Sequence, residues 1–421
     1  MSKGILLRKW VSAGLAAALL AMGGSAAFGV TAGELPLPEP TFAEKQDQAV
    51  RAYANLLDSF GYAPNRVYPA SYAGAYLNSD GQLVVKSTST SLGAKQSFRM
   101  ASQNPNILVE QAEYSYSELK DIQDTIFEYM EAHPVEGRLP IRRCGIANRA
   151  NRINVYLSEL TEENIAMVRA VADSPAMRFY QIEECVSQSA DTVDARQPSK
   201  LTKWSYFHNA SDFNISRSMV TQLYSGSEIR TQTTSNTITG MSVGYRAKKQ
   251  ITATTYEYGF VTAGHGTKGN GNVYNTSLEN IGTVTSRLFN AMADVAFVKM
   301  NSNVTVFNMI ANQTGTVNSG YMTPMEDAII YKSGFAGGVS GGKVVLETCD
   351  DYAPLDVNVR DVMISFNNGV VPGDSGGIVY CRNANGTNTI VGIVSGTYYG
   401  SYMATVKASN IAYYAAVTTN Y

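Results

Sequence analysis

Short hydrophobic runs separated by turn residues dominate the chain from about Gly226 onward. These runs are rich in β-branched and aromatic side chains, and glycine, asparagine and serine interrupt them at close intervals. They include residues 240–245, 256–262, 294–300, 328–331, 343–346, 378–381 and 390–395. Such spacing is typical of antiparallel strands joined by short turns. Because no convincing helical period occurs until the end of the chain, the pattern predicts an all-β barrel or sandwich.

In the region 33–190, hydrophobic patterns typical of helices alternate with patterns typical of strands. Tyr114–Ala132 places its apolar residues on one helical face, and Thr161 can cap the helix that follows it. Arg152–Leu157 and Met177–Ile182 alternate as strands do. Strand, helix and strand in this order predict a compact α+β module ahead of the β-rich half.

Residues 1–32 have the layout of a secretory signal peptide. A basic start at Lys3, Arg8 and Lys9 precedes the apolar run Trp10–Met22, and small residues follow it. The alternative is a membrane anchor, but the run is well short of the roughly 20 apolar residues that a spanning helix needs. We therefore expect a secreted, extracellular protein.

Charge and hydropathy exclude two classes of partner. Charged residues make up 16% of the chain, and the formal net charge is −2 at pH 7. A chain with so little charge imbalance lacks the basic footprint of a nucleic-acid-binding protein. No later segment is long and apolar enough to span a bilayer. We therefore expect neither a nucleic-acid partner nor a membrane-bound protein.

The length of 421 residues predicts more than one domain. Changes in composition and hydrophobic pattern divide the chain into four regions. They are a signal peptide at 1–32, an α+β segment at 33–190, a linker at 191–225 and a β-rich domain at 226–421. The linker is polar and only weakly periodic, which suits a segment where a precursor is cut. We therefore expect the maturation site to lie within it.

Three short motifs in the β-rich half contain residues typical of catalysis. The first ends a strand with a histidine, the second begins an apolar strand with a carboxylate, and the third places a serine in a glycine-rich turn. They are Phe260–His265 (FVTAGH), Ala293–Val298 (ADVAFV) and Pro372–Gly377 (PGDSGG). A serine hydroxyl becomes a good nucleophile when an imidazole takes its proton, and the imidazole needs a carboxylate to orient it. The three motifs together predict a catalytic triad of His265, Asp294 and Ser375.

Each motif also has an ordinary structural interpretation. The glycine-rich turn contains residue types that favour any turn, His265 could simply end a strand, and Asp294 could cap one. The other two histidines, His133 and His208, lie outside the β-rich half and do not compete as a base. Competing aspartates lie in polar, turn-like stretches; they are Asp327, Asp350, Asp351, Asp356 and Asp361. The combination in an exported, β-rich chain favours the triad.

These motifs, in the order histidine, aspartate, serine, resemble the chymotrypsin-like serine proteases, and most closely the bacterial branch of the streptogrisins and α-lytic protease. The likeness covers about 226–421 and implies two antiparallel β-barrels with the triad in the cleft between them. It implies that His265 is the general base, that Asp294 orients it, and that Ser375 forms an acyl-enzyme. The region 33–190 resembles, more loosely, the pro-segments that assist folding of such proteases and then inhibit them.

The same resemblance implies roles for further residues. The backbone N–H groups of Gly373 and Ser375 would form the oxyanion hole. Ser395 matches the serine that supports the buried aspartate and lines the substrate cleft, and a cation, Lys332, would pair with Asp374. The substrate pocket would be lined by Gly369, Val394, Ser395, Gly396 and Thr397. The resemblance implies neither a metal nor a cofactor, and we expect a monomer.

The pocket residues predict cleavage after uncharged, apolar side chains of protein or peptide substrates. Gly369 lies six residues before Ser375, where trypsin-like relatives place an aspartate, so no buried charge awaits a basic side chain. No histidine lies in the pocket stretches, so an acidic side chain would also enter unpaired, at a high cost in free energy. Two other interpretations stay open: an inactive, peptide-binding relative, and an esterase that uses the same triad.

The four cysteines allow three pairings in an exported protein. Two of them lie in each half of the chain, and cleavage of the precursor would separate the halves. We therefore expect the bridges Cys144–Cys185 and Cys349–Cys381. The chain also departs from many relatives at Gly266, because they carry a cysteine directly after the catalytic histidine.

Overall fold

The computed structural model describes residues 40–182, except 64 and 135, and residues 221–419, except 233–237, 268, 270, 353–356, 367–368 and 399–400. The predicted signal peptide and nearly all of the predicted linker lie outside the described residues. Among the described residues, no helix combines the length and the apolar composition that crossing a membrane requires.

The N-terminal half contains two small α+β modules. The first has helices α1 (Phe42–Ser59) and α2 (Leu92–Ser102) with strands β1 (Tyr72–Leu77), β2 (Leu83–Ser87) and β3 (Leu108–Gln111). The second has helices α3 (Tyr116–Ala132) and α4 (Glu162–Val171) with strands β4 (Ile141–Ala147), β5 (Arg152–Leu157) and β6 (Met177–Gln181).

Polar caps fix where these helices begin. Thr41 and Ser115 each form a capping box with a glutamate three residues later, at the starts of α1 and α3. Thr161 accepts a hydrogen bond from the Asn164 amide at the start of α4. The α+β prediction is therefore confirmed, with α3, α4, β5 and β6 close to their predicted positions.

The C-terminal half is almost entirely β-structure. Its strands are β7 (Thr221–Ser225), β8 (Glu228–Gln232), β9 (Ile238–Ser242), β10 (Arg246–Gln250), β11 (Tyr256–Thr262), β12 (Asn272–Tyr274), β13 (Asn280–Asn290), β14 (Ala293–Met300), β15 (Val304–Ile310), β16 (Val317–Tyr321), β17 (Ile329–Gly334), β18 (Gly338–Asp351), β19 (Val359–Phe366), β20 (Ile378–Arg382), β21 (Asn388–Tyr398), β22 (Tyr402–Lys407) and β23 (Val417–Thr419). One short helix, α5 (Ala408–Tyr414), precedes the last strand.

These strands form two curled sheets. The first sheet follows the order β23-β10-β11-β14-β13-β12-β8-β9 and curls into a half-barrel. The second follows the order β17-β20-β21-β22-β19-β18, and pairing of β17 with β18 closes it into a six-stranded barrel. The prediction of a two-barrel fold is confirmed, although only the second sheet closes among the described residues.

The N-terminal half is joined to the closed barrel through a shared sheet. Strand β4 pairs antiparallel with the end of β18, from Thr348 to Asp351, so that β4, β5 and β6 extend the barrel sheet. A hydrophobic cluster of the N-terminal half also takes in Met325, Ala328 and Tyr352 from the C-terminal half. The two halves therefore share both a sheet and part of a core.

The predicted domain boundary at 226 falls inside paired structure. Residues Thr221–Ser225, which the sequence assigned to the linker, form β7 and pair parallel with β15. The described part of the C-terminal half therefore begins at Thr221.

Candidate active site

The histidine and the aspartate are brought together by the register of two neighbouring strands. Strand β11 pairs antiparallel with β14 so that Thr262 lies opposite Ala296. His265, three residues beyond Thr262, therefore reaches Asp294, two residues before Ala296. Gly264 permits the close approach, because a Cβ at this position would lie 2.2 Å from the Leu288 carbonyl oxygen.

Two hydrogen bonds orient the histidine on the carboxylate. The His265 backbone N–H donates to Asp294 Oδ1 at 2.7 Å, and His265 Nδ1 lies 2.8 Å from Asp294 Oδ2. Ser395 donates its hydroxyl to the same Oδ2 at 2.6 Å. Donation by Nδ1–H to a carboxylate leaves Nε2 as the acceptor of the neutral ring.

The Asp294 carboxylate is fully buried, yet its pKa lies below the usual range. Burial raises the pKa, but the charge of His265 and the hydrogen bonds from His265 and Ser395 lower it by more. A buried carboxylate that stays ionised in this way can stabilise a positively charged imidazole.

The serine lies in the turn between β19 and β20, across from the histidine. Ser375 Oγ is 3.1 Å from His265 Nε2, within hydrogen-bond reach. Gly373 and Gly376 adopt left-handed conformations, with φ of 103° and 84°. A Cβ on Gly376 would meet Thr262 Oγ1 at 2.1 Å. The glycines therefore allow both the sharp turn and its close packing against the strand that leads to His265.

The backbone of this turn leaves two donors available. Within the described part of the chain, neither the Gly373 N–H nor the Ser375 N–H donates to a protein acceptor. On the other side of the turn, the Gly373 carbonyl accepts a hydrogen bond from the Ser242 hydroxyl, and the Ser375 carbonyl accepts one from the Ser242 backbone N–H. The turn can thus offer two amide donors to a bound oxygen atom.

A buried ion pair supports the turn from inside the closed barrel. Lys332 Nζ contacts Asp374 Oδ2, and both side chains are fully buried. The amides of Gly337 and Val371 donate to the same carboxylate at 2.8 and 3.2 Å. Burial lowers the pKa of Lys332, and the charge of Asp374 opposes that effect. The structure thus brings together the two residues that the sequence paired.

The predicted pocket residues lie next to the serine turn. The Gly376 N–H donates to the Val394 carbonyl at 2.8 Å, so that β21 runs beside the turn. Val394 and Ser395 are buried, whereas Gly369, Gly396 and Thr397 are partly exposed. None of these five residues carries a charge.

The predicted bridge between Cys349 and Cys381 is not formed, and both residues are free, buried thiols. Strand β18 is longer than predicted, and at Cys349 it pairs with β19 and β4 rather than with β17. Cys381 lies on β20 in a different hydrophobic cluster. The two strands are therefore not neighbours at these positions. Cys144 is also a free, buried thiol, and its predicted partner Cys185 lies outside the described residues.

Packing of a methionine explains the glycine after the histidine. A Cβ at Gly266 would lie 2.2 Å from Met241 Sδ, so the thioether fills the space beside residue 266. Thr231 also donates to Met241 Sδ at 3.0 Å. Met241 therefore occupies the space that a side chain at position 266 would need.

Sequence reasoning missed Ser242, which contacts both the serine turn and the strand that leads to the histidine. The available signal was a hydroxyl within the largely apolar run Met241–Tyr245, because a buried polar group needs hydrogen-bond partners. It also missed Glu326, Glu347 and Asp350, three buried carboxyls beneath the N-terminal half.

Two family models match the N-terminal half, one for each of its α+β modules. Residues 38–112 match the family described as a Pro-like N-terminal domain, and residues 117–182 match the Pro-like C-terminal domain. These matches support the resemblance to the α-lytic protease branch. No curated protein matches the sequence.

Several solved structures are similar to about half of the chain. Chymotrypsin of Cellulomonas bogoriensis is 20% identical, with 47% of this chain and 98% of that chain covered and a TM-score of 0.38. Protease A of Thermobifida fusca gives the same four values. Nocardiopsis protease is 23% identical, with 48% and 100% covered and a TM-score of 0.38.

Proposed function

We propose that this chain is the precursor of a secreted serine endopeptidase. The observation that carries the proposal is the continuous hydrogen-bonded path from Ser375 Oγ through the His265 ring to the buried Asp294 carboxylate, with steps of 3.1 and 2.8 Å. The layout of residues 1–32 supports secretion, and the two Pro-like domains support synthesis as a precursor.

In this mechanism Ser375 Oγ attacks the carbonyl carbon of the scissile peptide while His265 Nε2 takes its proton. Asp294 stays ionised and stabilises the imidazolium. The amides of Gly373 and Ser375 donate to the oxyanion, and each such donor is typically worth about 3 kcal/mol. His265 then protonates the leaving amine, and a water molecule hydrolyses the acyl-enzyme by the same steps in reverse.

We further propose that the segment 33–190 assists folding of the protease domain and inhibits it before release. The shared sheet between β4 and β18 and the contact of Tyr53 with Glu347, at 2.7 Å between hydroxyl and carboxylate, support tight docking. A two-barrel domain depends on long-range strand pairing, which makes folding intrinsically slow. A docked segment that orders β18 would speed up the formation of these long-range strand pairings.

Replacing Ser375 with alanine tests the reaction. We expect the full-length wild-type chain to mature, to react with a fluorophosphonate and to digest casein, and Ser375→Ala to do none of these. Loss of the nucleophile should reduce turnover by about 10⁶-fold. Casein digestion by Ser375→Ala above a few per cent of wild type, if the variant is free of contaminating protease, would show that the triad is misassigned.

The same experiment separates the alternatives. An inactive, peptide-binding relative would neither react with the fluorophosphonate nor digest casein. An esterase would react with the fluorophosphonate and hydrolyse ester substrates but leave casein intact. Labelling together with digestion is the result that the endopeptidase proposal requires.

Specificity for apolar residues follows from the uncharged pocket. Peptide substrates that differ only in the residue before the cleaved bond should be cleaved best when it is apolar, because a charged side chain would be buried without a partner. A chromogenic tetrapeptide panel with aliphatic, aromatic, basic and acidic members measures this. Fastest cleavage after arginine or glutamate would contradict the proposed pocket.

A further inference from the structure

Ser242, the last residue of β9, is fully buried, and all of its polar groups are used. Its hydroxyl donates to the Gly373 carbonyl at 2.8 Å and accepts the Phe335 N–H at 3.0 Å. Its backbone N–H donates to the Ser375 carbonyl at 3.0 Å. Its own carbonyl accepts the Thr262 hydroxyl at 2.9 Å. These four bonds join Ser242 to four residues, three of them more than 90 positions away along the chain.

Two of these bonds fix the geometry of the serine turn. Gly373 and Ser375 each present an N–H with no protein acceptor in the described chain and a carbonyl that Ser242 holds. Gly373 has a φ of 103° and no side chain that could restrict its rotation. The bond from the Ser242 hydroxyl therefore replaces the restraint that a side chain would give, and it limits the directions in which both amides can point.

The other contacts connect the turn to the rest of the site. Thr262 ends β11, three residues before His265, so the Ser242 carbonyl is tied to the strand that carries the base. Ser242 itself belongs to the half-barrel, whereas Phe335 and Gly373 belong to the closed-barrel part of the chain. Ser242 therefore connects the two sheets at the point where His265 meets Ser375.

We propose that Ser242 is a positioning residue for peptide hydrolysis, whose hydroxyl holds the 373–375 turn in the orientation that directs its two amides at the oxyanion. The inference rests on the proposed function. Because the amides stabilise charge that develops in the transition state, loss of the hydroxyl should reduce kcat and leave KM nearly unchanged.

Ser365, on β19 of the closed barrel, provides a matched control. It is also fully buried, but its hydroxyl has no hydrogen-bond partner among the described residues. Replacing Ser365 with alanine therefore removes a buried hydroxyl without removing a hydrogen bond. A loss of activity in Ser242→Ala that Ser365→Ala does not share comes from the bonds that Ser242 makes.

The test uses mature enzyme obtained from full-length wild type, Ser242→Ala, Ser242→Cys and Ser365→Ala, with active sites counted by fluorophosphonate titration. We expect Ser242→Ala to lower kcat by about 10- to 100-fold with KM changed by less than about threefold. Inhibition by a peptide boronic acid, whose tetrahedral adduct places an oxygen at the oxyanion position, should weaken by a similar factor. Ser242→Cys keeps a weaker donor and should give an intermediate kcat.

The outcomes are distinct. If wild type is active and Ser242→Ala keeps its kcat and its boronic acid affinity within about threefold, the positioning role is wrong and the proposed function stands. A change in KM alone also contradicts the role. If Ser242→Ala gives no mature enzyme, Ser242→Cys is judged by the same criteria. If wild type does not hydrolyse peptides, both proposals fail.

Discussion

The charge balance inside the closed barrel depends on Lys332. Asp374 directly precedes the serine, and its carboxylate is held by this lysine and by two backbone amides. Gly337 makes room for the pair, because a Cβ there would lie 2.6 Å from Lys332 Nζ. Removing one member of a buried ion pair leaves the other charge without compensation, which typically costs about 3–5 kcal/mol.

We therefore expect Lys332→Met to destabilise the protein by about 3–5 kcal/mol and to reduce activity, because Asp374 can no longer stay in place as a buried anion. Lys343→Met is the control, since Lys343 is more than half exposed in its ion pair with Asp327 and should contribute about 1 kcal/mol or less. Urea unfolding of both variants in the Ser375→Ala background measures the difference. Equal stability of the two variants would contradict the role of the buried pair.

The sequence predicted single residues well where a local motif identified them. His265, Asp294 and Ser375 each lie in a short run with a recognisable turn or strand end, and the structure places them within hydrogen-bond reach. Ser242 has no such motif. Its partners Gly373 and Phe335 lie 131 and 93 positions away, so its importance depends on tertiary contacts that a single sequence does not contain.

The pairing of β4 with β18 is the element that joins the two halves. Gly145 lies opposite Cys349 in this pair. A Cβ at Gly145 would lie 3.0 Å from both the Thr348 carbonyl oxygen and Leu346 Cδ1. The absence of a side chain here therefore lets the N-terminal half approach the closed barrel closely.

We expect Gly145→Val to lower the yield of mature protease from the full-length chain by roughly 10-fold or more, because overpacking at a close contact costs about 1–3 kcal/mol. Gly93→Val in α2 is the control, since a Cβ at that position would have no heavy atom within 4 Å apart from its chain neighbours and the backbone of its own helix. Secreted activity per cell measures both variants. If Gly145→Val matures as well as Gly93→Val, the strand pairing is not required for folding.

Helices and strands were predicted well where the hydrophobic side chains follow a clear period. Strand lengths were predicted too short where a strand continues into residues without that period. The helix at Tyr116–Ala132 and the strand at Arg152–Leu157 follow simple periods. Strand β18 was predicted only at 343–346, but it runs from Gly338 to Asp351 through polar residues. Its polar end is buried by β4, a partner about 200 positions away. The wrong disulfide prediction has the same origin, because Cys349 lies in that extension.

Three carboxyls of the C-terminal half are buried beneath the N-terminal half. Burial, together with the charge of Asp327, raises the pKa of Glu326 to about 8. Hydrogen bonds from the Arg149 and Asn148 backbones partly oppose this shift. Burial likewise raises the pKa of Asp350 to about 7, while the Asp361 amide and Lys120 lower it. Burial also raises the pKa of Glu347, against the charge of Lys407 and the Tyr53 hydroxyl.

These shifts predict that the precursor becomes less stable as the pH rises. A carboxyl with a raised pKa binds more protons when folded, so its contribution is complete below its ordinary pKa of about 4 and is lost as the pH rises towards 8. We expect the urea midpoint of the Ser375→Ala chain to fall between about pH 5 and 8. The variants Glu326→Gln and Asp350→Asn should reduce this fall of the urea midpoint with pH, because the amides do not titrate.

The control is Asp173→Asn, because the Asp173 side chain is 74% exposed beside Arg169. This substitution should leave the fall of the urea midpoint with pH unchanged. A urea midpoint of the Ser375→Ala chain that stays constant or rises over this range would contradict the prediction. So would a pH dependence in the Glu326→Gln and Asp350→Asn variants that equals that of the Ser375→Ala chain.

The shared sheet has a consequence for the mature enzyme. If the N-terminal segment is released, as proposed, the edge of β18 from Thr348 to Asp351 that faces β4 loses its pairing. An uncovered strand edge can pair with the same edge of another copy, which is a common route to aggregation. Here the edge carries Asp350 and Asp351, next to Glu347. When this edge is exposed to water, these carboxylates ionise and repel the same edge of a second copy. Carboxyl groups that are costly to bury in the precursor would therefore act against aggregation after release.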